Sequence, residues 1–330
     1  PTPVPDRVLS ALSMPIIDHR GPEFSRLAKK ALEGIKTIFK TNNPVIIYTA
    51  TGTGAWEAAL TNTMSPGDRV LMIETGQFAT LWQNMAKKLG LAPEFIPGDW
   101  RHGVNAAAVE AKLKDDKSHA IKAVCVVHNE TSTAVTSRIA DVRKAIDRAG
   151  HPALLMVDTI SSLGSIDYRH DEWGVDVTVA GSQKGLMLPP GLSFNAVSDK
   201  ALAAAKNSKL PKSYWSWEDM LGPNKNGFFP YTPSTNLLYG LREALVEHAA
   251  AAVEADEGAL AEARHAFLQA AHAVAERLGQ HGHHAAGQIR AVASASALDV
   301  QRRVERDEVA DIGDVHAEFP DALGLVEADA

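Results

Sequence analysis

The clearest signal of the fold lies in residues 175–184, which read VDVTVAGSQK. The β-branched, mostly apolar run from Val175 to Ala180 favours a buried strand, and the glycine and polar residues after it mark the end of that strand. These residues therefore predict a strand whose carboxyl end is followed at once by Lys184.

The same pattern, a short apolar run before a polar cluster, occurs at four earlier places. It predicts strands at residues 44–48, 68–73, 121–127 and 154–157, with helical patterns at 55–60, 79–89 and 139–149 between them. A return strand is predicted at residues 194–197, an ordered loop at 212–236 and a helix at 237–280. Strands that alternate with helices favour a mainly parallel sheet with helices on both faces. Ligands bind outside the carboxyl ends of such strands, so we expect one site there.

Two residues at these strand ends form an informative pair. Asp158 follows the strand at 154–157, and Lys184 lies 26 residues later, at the end of the next strand. Either residue alone is more typical of a solvated charge or a helix cap. Together they are the groups that pyridoxal phosphate requires: a lysine that forms a Schiff base and a carboxylate that keeps the ring nitrogen protonated.

A phosphate site is suggested by residues 51–54, Thr-Gly-Thr-Gly, which lie between a strand and the start of a helix. Small residues let backbone N–H groups approach an anion, and the helix dipole favours negative charge there. A purely structural turn is the alternative for these four residues. The spacing matches neither a P-loop nor a dinucleotide-binding motif, because the latter requires glycine where Glu57 stands.

Composition excludes several classes of protein. The single cysteine, Cys125, lies within a predicted strand, so we expect a buried core residue and no disulfide framework. No apolar run approaches the length of about eighteen residues that a membrane span needs, and no part has the basic excess of a nucleic-acid-binding protein. Residues 281–284, His-Gly-His-His, lack the spacing of a metal site, so no metal is expected.

The character of the chain changes near Leu245. Residues 1–245 hold 27 Lys and Arg against 24 Asp and Glu, whereas residues 246–330 hold 6 Arg and no Lys against 16 Asp and Glu. This break predicts two parts of different character. At the other end, the chain starts Pro1-Thr2-Pro3 without methionine or a signal peptide, which predicts a processed or truncated start and a cytoplasmic protein.

Residues 179–191, VAGSQKGLMLPPG, resemble the lysine motif of the class V pyridoxal-phosphate aminotransferases. Further segments that resemble this family are residues 15–24, 128–133, 157–162 and 231–233. The resemblance extends from Pro1 to about Leu245. It implies an α/β large domain of fold type I at 13–245, with the remnant of an N-terminal arm at 1–12. An atypical acidic tail at 246–330, Ala-rich and mostly helical, would replace the small α/β domain.

The resemblance also implies roles for individual residues. Lys184 would form the Schiff base and move the α-proton, and Asp158 would pair with the ring nitrogen. The other implied cofactor contacts are Thr51, Gly52 and Thr53 around the phosphate and ring, Phe78 on one ring face, Ile160 on the opposite face, Thr131 near the ring hydroxyl and Gln183 at the phosphate. Thr232 would reach the phosphate of the partner subunit, because family sites are shared across a homodimer.

Three features depart from the family pattern. Ala134 and Ser193 replace expected glycines, which is tolerable where the backbone is not left-handed. The start of the N-terminal arm is missing. After Leu245, the arginine that binds the substrate carboxylate is not recognisable. A frameshift near residue 245 would explain a tail rich in Ala, Arg and His that lacks Lys.

Two functions are consistent with these patterns. The first is a transaminase that moves an amino group from serine, or alanine, to glyoxylate and yields hydroxypyruvate, or pyruvate, and glycine. The second is a pyridoxal-phosphate-binding remnant with weak or no activity, because the substrate-binding domain is lost. Family members that cleave C–S bonds with a cysteine are disfavoured, because Cys125 is expected to be buried.

Overall fold

The computed structural model describes residues 2–251, which contain a seven-stranded sheet with helices and a separate two-stranded ribbon. The strands are β1 (Val45–Tyr48), β2 (Arg69–Ile73), β3 (Ala92–Ile96), β4 (Ile121–Val127), β5 (Asn129–Glu130), β6 (Val135–Thr136), β7 (Leu154–Asp158), β8 (Val177–Gly181) and β9 (Ser193–Val197). The helices with both ends described are α1 (Asp6–Leu12), α2 (Pro22–Phe39), α3 (Gly52–Thr63), α4 (Gln77–Lys88), α5 (Ala106–Asp115), α6 (Ile139–Arg148), α7 (Asp199–Ala205) and α8 (Trp217–Asn224).

The strands of the large sheet follow the order β1-β9-β8-β7-β4-β2-β3. Neighbouring strands from β8 to β3 pair in parallel, whereas β9 is antiparallel to both β8 and β1. The predicted mainly parallel sheet is therefore confirmed, and the return strand at residues 194–197 is the antiparallel one.

Helices cover both faces of this sheet because successive residues of a strand point to opposite sides. In β1, Ile47 packs into a core that includes residues of α2, α5 and α6, whereas Ile46 packs into a second core with residues of α3 and α4. Strands β7 and β8 are buried along their whole length, which explains why their sequences are continuous apolar runs.

Two elements differ from the sequence expectation. The sequence patterns do not predict β3, because this half-buried strand lies at the sheet edge and contains Pro93, which an edge strand tolerates. The predicted loop at 212–236 is wrong for α8. Ser216 caps that helix by accepting a hydrogen bond from the Asp219 N–H at 3.2 Å, a local signal among many turn-forming residues.

Residues 235–251 are helical and match the start of the helix predicted at 237–280. The remainder of that helix, nearly all of the predicted tail at 246–330 and the histidine cluster at 281–284 lie outside the described residues. The division into parts 1–12, 13–245 and 246–330 therefore stays a prediction. Within residues 2–251, no helix is both long enough and apolar enough to cross a membrane.

Candidate active site

A cavity of about 200 Å³ lies where β4, β7 and β8 end. The predicted cofactor residues that line it are Thr51, Gly52, Thr53, Phe78, Thr131, Asp158, Ile160, Gln183 and Lys184. They come from different βα and ββ connections, and the parallel strands bring those connections together at one edge of the sheet. Of the residues that the sequence analysis assigns to the cofactor, Thr232 alone lies elsewhere.

Asp158 and Lys184 reach the cavity from neighbouring strands. Asp158 is the last residue of β7, and it pairs with Val127 on one side and Val179 on the other. It is 3% exposed. Lys184 is half-buried and lies three residues beyond the end of β8. Strand pairing thus places an amine and a buried carboxylate around one cavity.

Burial raises the pKa of Asp158 to about 7. The charge of Glu130 raises this pKa further, whereas two hydrogen bonds and the positive charge of Lys184 lower it. The donors are the Ile160 N–H, 2.7 Å from Oδ1, and the Trp56 indole N–H, 2.9 Å from Oδ2. Each oxygen can accept a further hydrogen bond, and a cation nearby would stabilise the charged form.

The amino end of α3 contributes a second wall. Thr51 is the N-cap residue, and its side chain makes no capping hydrogen bond. The Gly54 N–H donates to the Thr51 carbonyl at 2.9 Å, so the N–H groups of Gly52 and Thr53 are left for another acceptor. A Cβ on Gly52 would lie 2.2 Å from Ile160 Cδ1, so glycine permits the close approach of this helix. Gln183 Oε1 is buried and has no hydrogen-bond partner among the described residues. These features fit a phosphate group.

The residues around the cavity fit pyridoxal phosphate. Lys184 supplies an amine, Asp158 a carboxylate for a cationic ring nitrogen, and the amino end of α3 a site for the phosphate. Phe78 and Ile160 add apolar surface for the ring. The donor set therefore agrees with the cofactor that the sequence predicts.

Similarity to known proteins identifies the family of this chain. The sequence profile of the family described as Aminotransferase class-V matches residues 10–301. This chain belongs to that family. Pyridoxal phosphate is the cofactor of the family, and the match extends beyond Leu245, where the sequence analysis placed the end of the resemblance.

Two glyoxylate aminotransferases are among the similar proteins. The serine–glyoxylate aminotransferase of Methylorubrum extorquens is 51% identical over 251 residues, which cover 74% of this chain and 62% of that protein. The L-aspartate–glyoxylate aminotransferase of Paracoccus denitrificans is 49% identical over 243 residues, which cover 73% of this chain and 61% of that protein. The chain thus spans about three fifths of the length of these relatives.

Solved structures confirm the fold class. The alanine–glyoxylate aminotransferase of Nostoc sp. is 31% identical with a TM-score of 0.68, and the match covers 74% of this chain and 65% of that one. The aspartate aminotransferase of Thermus thermophilus is 30% identical with a TM-score of 0.69, and the match covers 75% and 68%. The described residues therefore have the large-domain fold of the fold-type I aminotransferases.

Thr232 lines a different cavity, of about 560 Å³, together with His19, Arg20, Phe229 and Tyr231. It is therefore not one of the residues around Lys184 within the same chain. Its predicted contact with the phosphate of a partner subunit stays a prediction.

Three polar residues of the cavity are not among the sequence predictions. Trp56 lies one helical turn after Gly52 on α3, so that helical spacing is the signal that could have placed it in the cavity. Asn129 donates from Nδ2 to Ser161 Oγ at 3.0 Å, and Ser161 donates back to the Asn129 carbonyl at 2.7 Å. This reciprocal pair joins the segments that follow β4 and β7.

Two conspicuous residues of β4 and its extension do not line the cavity. Burial lowers the pKa of His128 to about 4, and its Nδ1 lies 2.9 Å from Ser162 Oγ, so it is neutral at physiological pH. Cys125 is buried in the core, as predicted, and burial raises the pKa of its thiol. In residues 2–251, no group of three or more His, Cys, Asp or Glu side chains is arranged to hold a metal.

The two replaced glycines differ in their backbone. Ala134 has a φ of 58°, which lies in the left-handed region that favours glycine. The expectation that alanine is tolerated here required a backbone that is not left-handed, and the structure does not meet that requirement. This conformation costs a non-glycine residue roughly 1 kcal/mol. Ser193 lies in β9 without a positive φ, so its replacement meets that condition.

Proposed function

We propose that this chain acts as an aminotransferase that moves an amino group from serine, or alanine, to glyoxylate, with hydroxypyruvate, or pyruvate, and glycine as products. The observation that carries this proposal is the convergence of Lys184, the buried Asp158 and the uncapped end of α3 around one cavity. Relatives about half identical in sequence are glyoxylate aminotransferases, which favours an amino acid and a 2-oxo acid as substrates.

Pyridoxal phosphate supplies, when bound, an electron sink for the negative charge that develops at the α-carbon of the amino acid. Asp158 would hold the proton on the ring nitrogen, because a cation beside its carboxylate offsets the burial that raises its pKa. Trp56 and Ile160 would keep that carboxylate in place through its two hydrogen bonds.

Lys184 Nζ would anchor the cofactor covalently and then move the α-proton of the amino acid. The half-buried position of this side chain beside Asp158 suits a proton carrier, because little water competes for the proton there. The first turn of α3 and Gln183 would hold the phosphate.

A homodimer is part of this proposal. Thr232, which lines a cavity with Arg20 and Tyr231, would then contact the phosphate of the cofactor bound in the neighbouring subunit. The similarity to relatives named as glyoxylate aminotransferases does not support the alternative of a cofactor-binding remnant. The cytoplasmic location stays a prediction from the sequence.

A cofactor titration and a half-reaction test the proposal. The full chain is titrated with pyridoxal phosphate, and the absorbance of the bound cofactor is followed while serine, alanine or aspartate is added without a 2-oxo acid. We expect a bound-cofactor band that changes with serine or alanine. Lys184→Ala should lower the rate of the half-reaction at least about 10⁴-fold, because the variant lacks the amine that would bond covalently to the cofactor.

Lys117→Ala is the matched control, because Lys117 is exposed and lies just after α5, away from the cavity. It should behave as the parent protein does. A chain that binds no pyridoxal phosphate would contradict the whole proposal. If cofactor binds but no amino acid changes its absorbance, the result would support the cofactor-binding remnant instead. If only aspartate changes the absorbance, the amino donor would be aspartate and not serine or alanine.

A further inference from the structure

We propose that Glu130 is a positioning residue whose buried side chain holds Phe78 and Thr131 in place at the cofactor cavity. This inference rests on the proposed function, because it concerns the binding of pyridoxal phosphate. Glu130 is fully buried and lies within residues 128–133, which resemble the family, but the resemblance assigns it no role and it does not line the cavity.

Glu130 and Ser132 together cap α4 from another part of the chain. The N-cap residue of α4 is Gly76, which has no side chain to accept the first N–H groups. Glu130 Oε1 instead accepts from the Phe78 N–H at 3.2 Å and Oε2 from the Ala79 N–H at 3.1 Å, while Ser132 Oγ accepts from the Gln77 N–H at 3.0 Å. These hydrogen bonds thus hold the backbone of Phe78, the second residue of α4, in place.

The same carboxylate also fixes the segment on which Thr131 lies. Ser132 donates to Glu130 Oε1 twice, from its hydroxyl at 2.8 Å and from its backbone N–H at 3.2 Å. Thr131 therefore lies between two residues that bind each other and the amino end of α4. One side chain joins two elements that each present a residue to the cavity.

Gly76 permits this arrangement. A Cβ at position 76 would lie 2.4 Å from Glu130 Cγ and 2.6 Å from Ser132 Oγ, distances that real Cβ atoms do not adopt. The backbone at Gly76 is extended, with a φ of 162°, so the need for glycine is steric and not conformational. Close packing of Gly76 against Glu130 leaves the carboxylate little freedom to move.

A buried carboxylate suits this task better than a neutral acceptor. The amino end of a helix stabilises negative charge, and hydrogen bonds to a charged acceptor are stronger than those to an amide. The charge of Glu130 also raises the pKa of Asp158. Glu130 thus affects three of the residues predicted to bind the cofactor, namely Phe78, Thr131 and Asp158.

Glu130→Gln in the full chain tests this inference, because the amide keeps the size of the side chain but has one acceptor atom instead of two. The probes are the dissociation constant for pyridoxal phosphate and the circular dichroism of the bound cofactor, which reports how the ring is held. We expect the dissociation constant to rise on the order of tenfold and the cofactor dichroism to fall, because α4 loses at least one charge-assisted hydrogen bond.

Asn105→Ala is the matched control. Asn105 caps α5 by accepting from the Ala107 and Ala108 N–H groups, and it does not line the cavity. Its loss should lower the melting temperature without changing the affinity for the cofactor or the dichroism. If Glu130→Gln behaves like this control, Glu130 is an ordinary structural cap and the inference is overturned.

Ser132→Ala provides a second variant in case Glu130→Gln does not fold. It removes one acceptor for α4 and one donor to Glu130, so we expect a smaller change of cofactor affinity in the same direction. An unchanged affinity and dichroism in Ser132→Ala would count against the inference. A parent chain that binds no pyridoxal phosphate would overturn the proposed function itself and is distinguishable from both outcomes.

Discussion

Two aspartates, Asp158 at the end of a strand and Asp116 at the end of a helix, are both buried, yet their pKa values shift in opposite directions. Asp158 lies at the carboxyl end of β7, and Asp116 lies between α5 and the amino end of β4. Burial alone would raise both pKa values. The pKa of Asp158 rises to about 7, whereas hydrogen bonds lower the pKa of Asp116 to about 2.

Depth of burial and the number of hydrogen-bond donors together explain this difference, because Asp158 is the more deeply buried carboxylate and has fewer donors. Asp116 accepts from the Ile121 N–H at 2.7 Å, the Ser118 hydroxyl at 3.1 Å and His151 Nε2 at 3.3 Å, and Arg69 adds a positive charge at 3.4 Å. Asp158 has two donors. A carboxylate saturated by its own protein stabilises the fold, whereas one with spare acceptor capacity is ready for a cationic ligand.

Replacement of Asp158 should have the largest effect on activity. Asp158→Asn cannot hold a proton on the ring nitrogen by charge, so we expect kcat to fall at least about a hundredfold. Steady-state kinetics with the best amino donor measure this loss. If Asp158→Asn has the same kcat as the parent, the charge of Asp158 is not needed for activity, and the contrast with Asp116 has no functional basis.

The same variant should change how stability depends on pH in the absence of cofactor. Because the folded pKa of Asp158 is raised, its contribution to stability is fully present below pH 4 and is lost as the pH rises through about 7. We expect Asp158→Asn to be more stable than the parent at pH 8, by on the order of 1 kcal/mol after the loss of one hydrogen bond is deducted. Urea denaturation at several pH values measures the difference.

Replacement of Asp116 should affect stability and leave the chemistry alone. The lowered pKa means that its contribution is present above pH 4 and is lost as the pH falls towards 2. We expect Asp116→Asn to unfold about 1–2 kcal/mol more easily at pH 7, a figure reduced for solvent screening near the surface. The kcat of the folded variant should equal that of the parent, and a fall in kcat would break the contrast between the two aspartates.

Removal of one of the two donors to Asp158 should have a smaller effect on activity than replacement of Asp158 itself. Trp56→Phe keeps an aromatic ring but loses the indole N–H bound to Oδ2, which raises the pKa of Asp158 further and should lower kcat by roughly tenfold or less. Trp82→Phe is the matched control, because Trp82 stacks on Trp56 and its buried Nε1 has no partner in the part of the chain that the structure describes. Equal pH–rate profiles in the two variants would contradict a role for this hydrogen bond.

The smallest expected effect concerns Ala134, which follows the Glu130–Ser132 segment. Ala134→Gly relieves a left-handed residue but adds freedom to the unfolded chain, so we expect a gain of less than about 1 kcal/mol. Thermal denaturation with and without pyridoxal phosphate measures it. A clear loss of stability would show that the surrounding contacts favour the alanine side chain over relief of the backbone.

Sequence patterns predicted the residues whose signal is local. Asp158 and Lys184 follow apolar runs directly, and the glycines after β1 mark the turn into α3, so their places at strand ends could be derived from the chain alone. Trp56 and Glu130 carry no such signal. Trp56 donates to a residue 102 positions away, and Glu130 caps a helix that begins more than fifty positions earlier. Contacts of this kind depend on how the elements pack.

The pattern of residues along the chain predicts the mainly parallel sheet, the family and the two groups expected to do the chemistry, because periodicity and strand-end residues indicate which faces are buried and where each strand stops. The direction of the pKa shift at Asp158 and the assembly of the cavity wall that carries Phe78 and Thr131 depend on tertiary packing. Both depend on how many donors and charges packing places around a buried carboxylate, and no local stretch of sequence predicts that number.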